Sequence, residues 1–165
     1  MDNLIKVIKA LVDALMTFVL VVGTAFIVLF MIGIEPFVVI SGSMEPAIET
    51  GSLSFVNKHA KYDNIKVNDV IAYTAPTGDK VTHRVVNITE EGMETQGDRN
   101  NTSDGISTNR DNFIGKNIFS IPKLGYGIRL MQTTIGKTII ITIIAVLLAS
   151  SFLVEDEKGR RYKEA

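Results

Sequence analysis

Apolar positions along this chain are gathered into two long runs near its ends and broken into short stretches between them. From Ala10 to Ile34 the only charge is Asp13, and Phe18 to Ile34 is apolar on every face that a helix could present. About 20 such residues in a helix reach across the roughly 30 Å hydrocarbon layer of a bilayer. The run is too long for the apolar part of a cleavable targeting sequence and has no small-residue cleavage site before the polar chain begins. It predicts a retained membrane anchor. The second run, Thr138 to Val154, stands at the lower edge of spanning length. Its β-branched, Ile-rich composition would also suit a segment buried in protein. The charge cluster Glu155, Asp156, Glu157 and Lys158 ends it abruptly and favours a second span, lengthened upstream to residues 131–154.

Between the runs, apolar stretches of strand length alternate with Gly, Asn, Asp and Pro clusters, the pattern of an antiparallel β domain. The predicted strands are Phe37 to Ile40, Ser52 to Val56, Asp69 to Tyr73, Lys80 to Val86 and Asn112 to Phe119, with no helix of useful length among them. Asn100 to Gly105 lacks apolar residues and reads as a loop. The expected organisation is a cytoplasmic N-terminus and anchor over 1–34, a β-rich domain over 35–130, a second membrane helix over 131–154 and a charged cytoplasmic tail over 155–165.

Charge and composition narrow the chemistry. At 165 residues there is room for one compact domain beside the membrane segments, and so for one active site. A formal net charge of -1 lacks the basic excess that nucleic-acid binding requires, so nucleic acid is not an expected partner. Cysteine is absent, which removes disulfides, thiolate nucleophiles and cysteine-ligated zinc. Covalent catalysis must use Ser, Thr or Lys. No metal cluster or phosphate-binding glycine pattern is visible, and no cofactor is expected.

Ile40 to Pro46 is the most informative stretch: a strand ends in a Gly42 bend that pushes the Ser43 hydroxyl outward, and Pro46 restricts the departing backbone. The Ser43 N–H and the Ser41 hydroxyl are candidate donors to a tetrahedral oxyanion. Of the two histidines, His59 lies in a polar stretch and only His83 lies in an alternating apolar strand. His83 becomes a base if a hydroxyl lies on one side of its ring and an orienting carboxylate on the other. Asp98 and Asp104 are the carboxylates downstream, and spacing does not choose between them. Alone, each of these residues has an ordinary structural explanation: a Ser-Gly-Ser turn, a strand histidine, turn-stabilising aspartates.

Together the three places resemble the signal peptidase I family, in its archaeal and endoplasmic-reticulum form. Ser41 to Pro46 resembles the nucleophile box, Thr82 to Val86 the base box, and Gly97 to Asn101 with Asp104 the acidic box. Order and spacing also match, with one span just before the first box. Bacterial-type members carry a lysine where this chain has His83, so the subtype implied is the Ser-His form. The resemblance implies Ser43 as nucleophile, His83 as base, Ser41 as oxyanion donor, Asp104 as the triad acid and Asp98 in support. It also implies a β-rich catalytic fold, small residues before the scissile bond and signal-peptide-bearing preproteins as substrates. The bilayer is an expected partner, with the secretion translocon as a further candidate, and the expected location is the cell membrane.

Ser43 lies only nine positions after Ile34, which holds the nucleophile near the outer membrane surface. Phe37 to Ile40 offers an edge strand for an extended peptide, so Phe37, Val39, Ile40 and Met44 are the expected substrate contacts, with Phe37 and Met44 dipping toward the interface. Three alternatives stand beside this reading: a non-catalytic subunit that binds signal sequences, a Ser-Lys hydrolase using Lys80 or Lys58, and a purely structural membrane β protein in which the boxes arise by chance. Lys80 lies one strand position out of phase with a buried face and would point away from the site.

Basic residues flank both runs: Lys6 and Lys9 before the first, Lys158, Arg160, Arg161 and Lys163 after the second. The positive-inside rule then puts both ends in the cytoplasm and residues 35–130 outside. Protease added outside intact cells is expected to cut within 35–130 and spare both termini. Loss of a tag placed after Ala165 under that treatment would show that the second run does not cross.

Overall fold

The structure, a computed structural model, describes residues 2–146. Helix α1, Asp2–Met31, includes a stretch Lys9–Met31 that is long and apolar enough to cross a membrane, with its apolar side chains unburied. Its 23 residues rise about 35 Å. Gly33 ends the helix. It adopts φ 76° and donates its N–H to the Phe30 carbonyl, a left-handed cap that costs glycine nothing.

Seven antiparallel strands follow: β1 Ile34–Val38, β2 Leu53–Asn57, β3 Val70–Thr74, β4 Lys80–Ile88, β5 Met93–Gln96, β6 Ile106–Thr108 and β7 Phe113–Ile121. They form one sheet in the order β1-β2-β7-β3-β4-β5-β6, which leaves β1 and β6 as its edges. Five of the seven correspond to predicted strands. The first is shifted: it begins at Ile34 and ends at Val38, so Val39 and Ile40 follow the strand instead of closing it. Strands β5 and β6 were not legible, because Met93–Gln96 holds a single apolar residue and Ile106–Thr108 is three residues long.

Residues directly opposite in an antiparallel pair share a face. Ile71 pairs His83, Tyr73 pairs Val81, and Val85 pairs Thr95, so one face carries both core side chains and His83. The core on that face is Ile65, Ile71, Tyr73, Val85 and Met93. The burial is close to complete, and it anchors His83 on a rigid, water-excluded support.

Two compact units are distinguished, Ala25–Ile128 with the sheet, and a second that takes in the described residues 2–24 and 129–146. Residues 124–130, expected within the β domain, are helical instead, as part of α2, Leu124–Gln132. Gly125 and Gly127 lower the local helix propensity and hide this helix from a reading of the sequence. A second helical segment, Thr134–Val146, meets α2 at 87°. Thr133 makes the break: its hydroxyl accepts the Gly136 N–H at 3.0 Å and caps the new helix. The predicted second span, 131–154, enters this segment, and its residues after Val146 lie outside the described ones, as does the tail 155–165.

Candidate active site

The nucleophile loop begins where β1 ends. Val39 donates to the Ser52 carbonyl at 2.9 Å and accepts from Gly51 N–H at 2.8 Å, so the chain stays paired to the β2 side until Ile40, which is 73% exposed. It then turns, closed by the Glu45 N–H on the Gly42 carbonyl. Ser43 sits in this bend with its hydroxyl 3.0 Å from His83 Nε2. The Ser43 N–H donates to no protein acceptor among the described residues. Ser41 Oγ lies 3.4 Å from Ser43 Oγ.

Across the imidazole, His83 Nδ1 lies 2.5 Å from Asp104 Oδ2. His83 is buried, whereas the Asp104 side chain keeps 24% of its surface exposed. A carboxylate can only accept, so the ring carries its hydrogen on Nδ1 and turns the Nε2 lone pair to Ser43. The Ser43 hydroxyl then donates to Nε2. This arrangement can move a proton from serine to histidine as the serine oxygen attacks an acyl carbon.

Asp98 takes a different place. Both of its oxygens pair with Arg84, Nε and Nη2 at 2.7 Å each, in a bidentate fork. Arg84 neighbours His83 on β4 and so projects from the opposite face of the strand. Its remaining nitrogen, Nη1, donates to the Asn68 carbonyl at 2.8 Å. Asp98 therefore braces the strand that carries His83 without touching the imidazole. The pair holds the Arg84 guanidinium in its charged form, through the hydrogen bonds to Asp98 first.

The turn 97–100 also seats the nucleophile loop. Arg99 N–H donates to the Ser43 carbonyl at 2.9 Å, and a Cβ on Gly97 would lie 2.6 Å from that same carbonyl oxygen. Arg99 reaches on to Glu45 with a 2.6 Å ion pair, and Thr50 Oγ1 donates to the other oxygen of Glu45 at 2.8 Å. The Glu45 carboxyl is held below its usual range by the Thr50 hydroxyl and N–H, with Arg99 adding to it. None of these clamps was recognised in the sequence, where Glu45 and Arg99 are simply charges inside the two boxes.

The remaining expected residues divide. Phe37 lies on edge strand β1, half-buried, with Lys80 Nζ 4.6 Å above its ring. Val39 is half-buried beside the loop. Met44 is a correction: at 2% exposed it packs inside the unit and reaches no interface, because the turn after Ser43 points its side chain inward. Lys80 and Lys58 both pair with Glu35, at 3.7 and 3.0 Å, which occupies the two lysines considered as alternative bases.

A family model described as signal peptidase, peptidase S26, matches residues 8–102. Signal peptidase I W of Bacillus subtilis is 37% identical over 78 residues, 45% of this chain and 41% of that protein, so the match spans less than half of the relative. The signal peptidase complex catalytic subunit SEC11 of Fusarium vanettenii is 32% identical over 154 residues, 81% of this chain and 89% of the relative. Its counterpart from Neurospora crassa is 33% identical over 131 residues, 68% of this chain and 76% of the relative.

Gly97→Ala is expected to displace either the turn or Ser43, since the added methyl meets the Ser43 carbonyl oxygen at 2.6 Å, which cannot swing aside as the Asn100 side chain at 2.8 Å can. Overpacking of this kind costs about 1–3 kcal/mol. A lower melting temperature together with a lower kcat/KM checks it, and unchanged values of both would contradict the close approach. The Glu45 clamp makes a separate prediction. Because its folded-state pKa lies below the ordinary 4.5, its contribution is complete above that pH and is lost as pH falls through the folded value. The difference in Tm between the protein and Glu45→Gln is expected to be constant well above pH 4.5 and to shrink as pH falls from there through the lowered folded-state pKa.

Proposed function

The chain belongs to the signal peptidase family, peptidase S26, and from that premise we propose that Ser43, His83 and Asp104 cleave the signal peptides of exported preproteins. The observation that carries this reading is one imidazole with a serine hydroxyl 3.0 Å from Nε2 and a carboxylate 2.5 Å from Nδ1.

In this mechanism Ser43 Oγ attacks the scissile carbonyl carbon while its proton passes to His83 Nε2. The imidazolium that forms is stabilised by Asp104, whose oxygen already accepts from Nδ1. The oxyanion takes the free Ser43 N–H and the Ser41 hydroxyl as donors. Collapse breaks the C–N bond as His83 returns its proton to the leaving amine. Water then attacks the Ser43 ester with His83 again as base, releasing the signal peptide and free serine. The proton transfer from Ser43 to His83 and the hydrogen bond from His83 to Asp104 join groups already within hydrogen-bond reach.

The substrate docks along β1. Val39 spends its N–H and carbonyl on the β2 side, so in an antiparallel edge the backbone groups of Val38 and Ile40 face outward and can pair with an extended peptide. Phe37, Val39 and Ile40 then flank the residues before the scissile bond. Lys9–Met31 is the anchor, in the cell membrane with the catalytic unit on the extracytoplasmic side, and Ser43 follows it closely enough to meet a substrate still held by its own apolar helix. Relatives named as catalytic subunits of a signal peptidase complex support a partner protein for this chain as well, with the translocon nearby.

Ser43→Ala is expected to abolish cleavage of a preprotein by the detergent-solubilised protein while leaving it folded, since it removes one hydroxyl and little packing. Ser41→Ala should retain slow turnover, down about a hundred- to a thousandfold for one lost oxyanion donor. Asp104→Asn should lower kcat steeply, by up to about 10⁴-fold, with little change in Tm. Asp98→Asn should lower Tm through the lost fork on Arg84 and affect kcat less. Full activity in Ser43→Ala would remove Ser43 from the mechanism, no cleavage by the unaltered protein would leave signal-sequence binding as the function, and a reversed order of the two aspartate variants would exchange their roles.

A further inference from the structure

Asp104 Oδ2 is crowded in a way that the catalytic steps do not use. Besides His83, it accepts from Thr95 Oγ1 at 2.7 Å and from the Tyr73 hydroxyl at 3.3 Å. Thr95 Oγ1 in turn lies 2.7 Å from Ser107 Oγ and 3.2 Å from the Tyr73 hydroxyl. Strands β3 and β5 thus each send one hydroxyl to Asp104 Oδ2, and β6 sends one to Thr95 behind it. Each hydroxyl has a single hydrogen. If Thr95 donates to the carboxylate, Ser107 donates to Thr95, and Tyr73 supplies the remaining bond to Oδ2.

Thr95 is 0% exposed, so no water can take over its bond. Burial pushes the Tyr73 phenol up from its ordinary range and keeps it a donor. The backbone closes the same loop, with the Asp104 N–H on the Thr95 carbonyl at 2.8 Å. Asp104 sits in a polar loop with a partly exposed side chain, which without these contacts would turn freely between solvent and His83.

Resting on the triad reading above, we propose that Thr95, backed by Tyr73 and Ser107, is the positioning residue that holds the Asp104 carboxylate against His83. The hydroxyls fix which oxygen faces Nδ1 and supply the hydrogen bonds that water would otherwise give it. Thr95 touches neither substrate nor Ser43, so its effect must pass through Asp104.

The test measures cleavage of one preprotein by the full chain in detergent, for Thr95→Val, Thr95→Ser, Tyr73→Phe and Asp104→Asn, and for each of the first three combined with Asp104→Asn. Thr95→Val is expected to lower kcat about tenfold or more with KM within about twofold, the loss of one hydrogen bond to a charged group. Thr95→Ser, which keeps the hydroxyl, is expected to restore most of that rate. In the Asp104→Asn background, Thr95→Val is expected to change kcat by less than about twofold, because its target has gone. Tyr73→Phe deletes one hydroxyl and no packing, and a fall in kcat of about threefold that disappears beside Asp104→Asn keeps the test open if Thr95→Val does not fold. Wild-type kcat in Thr95→Val, or in Tyr73→Phe where the valine variant is unfolded, overturns the proposal. So does an equal loss in both backgrounds. Wild-type kcat in Asp104→Asn alone would instead remove the triad acid itself, a different failure.

Discussion

A carboxylate oxygen 2.5 Å from His83 Nδ1 leaves the imidazole one place to carry its hydrogen, and the orientation of the reacting groups follows from it. With Nδ1 protonated, Nε2 can only accept, and among the described residues the hydroxyl within reach on that side is Ser43 at 3.0 Å. The histidine cannot swing away to solvent because it stands on a buried face, opposite Ile71 in the sheet and two residues from Val85. Packing supplies rigidity there, and a single hydrogen bond supplies direction. Ser43 needs neither burial nor an unusual backbone; it needs only to be delivered to Nε2.

Delivery depends on the turn after β5. That turn meets the nucleophile loop through its backbone, with Arg99 N–H on the Ser43 carbonyl, and through charge, with Arg99 on Glu45. It meets the histidine strand through Asp98 on Arg84. One four-residue turn therefore ties the serine and histidine elements to each other from behind, leaving the front of Ser43 open. The Arg84–Asp98 pair is bidentate and partly buried, a more effective geometry than isolated surface pairs, whose median contribution is about 0–1 kcal/mol, whereas the Arg99–Glu45 pair, with Arg99 68% exposed, is a surface pair. At Gly97 any side chain would press on the Ser43 carbonyl.

Much of this was legible locally. Hydropathy marked the apolar helix, alternation marked five strands, and the boxes around Ser43, His83 and Gly97 pointed to the family to which the chain belongs. Strands β5 and β6 stayed hidden because they hold too few apolar residues to show a period, although they carry Thr95 and Ser107 to Asp104. Helix α2 stayed hidden behind two glycines, and Met44, adjacent to the half-buried Ser43, turned inward. Each of these depends on neighbours far along the chain.

By itself the sequence determined the apolar stretch within α1, the β character of the middle segment and the order in which serine, histidine and aspartates occur, since composition, period and spacing are local properties. Which aspartate meets His83 was an expectation from the family resemblance alone, and the physical reason for it lies in the tertiary structure. Asp98 and Asp104 lie in one polar loop, and nothing local separates them. The β4–β5 register does: Arg84 stands opposite Gln96, so the turn that follows at once carries Asp98 to the Arg84 side of the sheet. The chain then doubles back, and Asp104 hydrogen-bonds through its N–H to Thr95, which pairs with Val85 on the His83 side. Strand parity, enforced by burial of Val85 and Thr95 on one face, sorts two chemically identical carboxylates into a brace and a partner for the base.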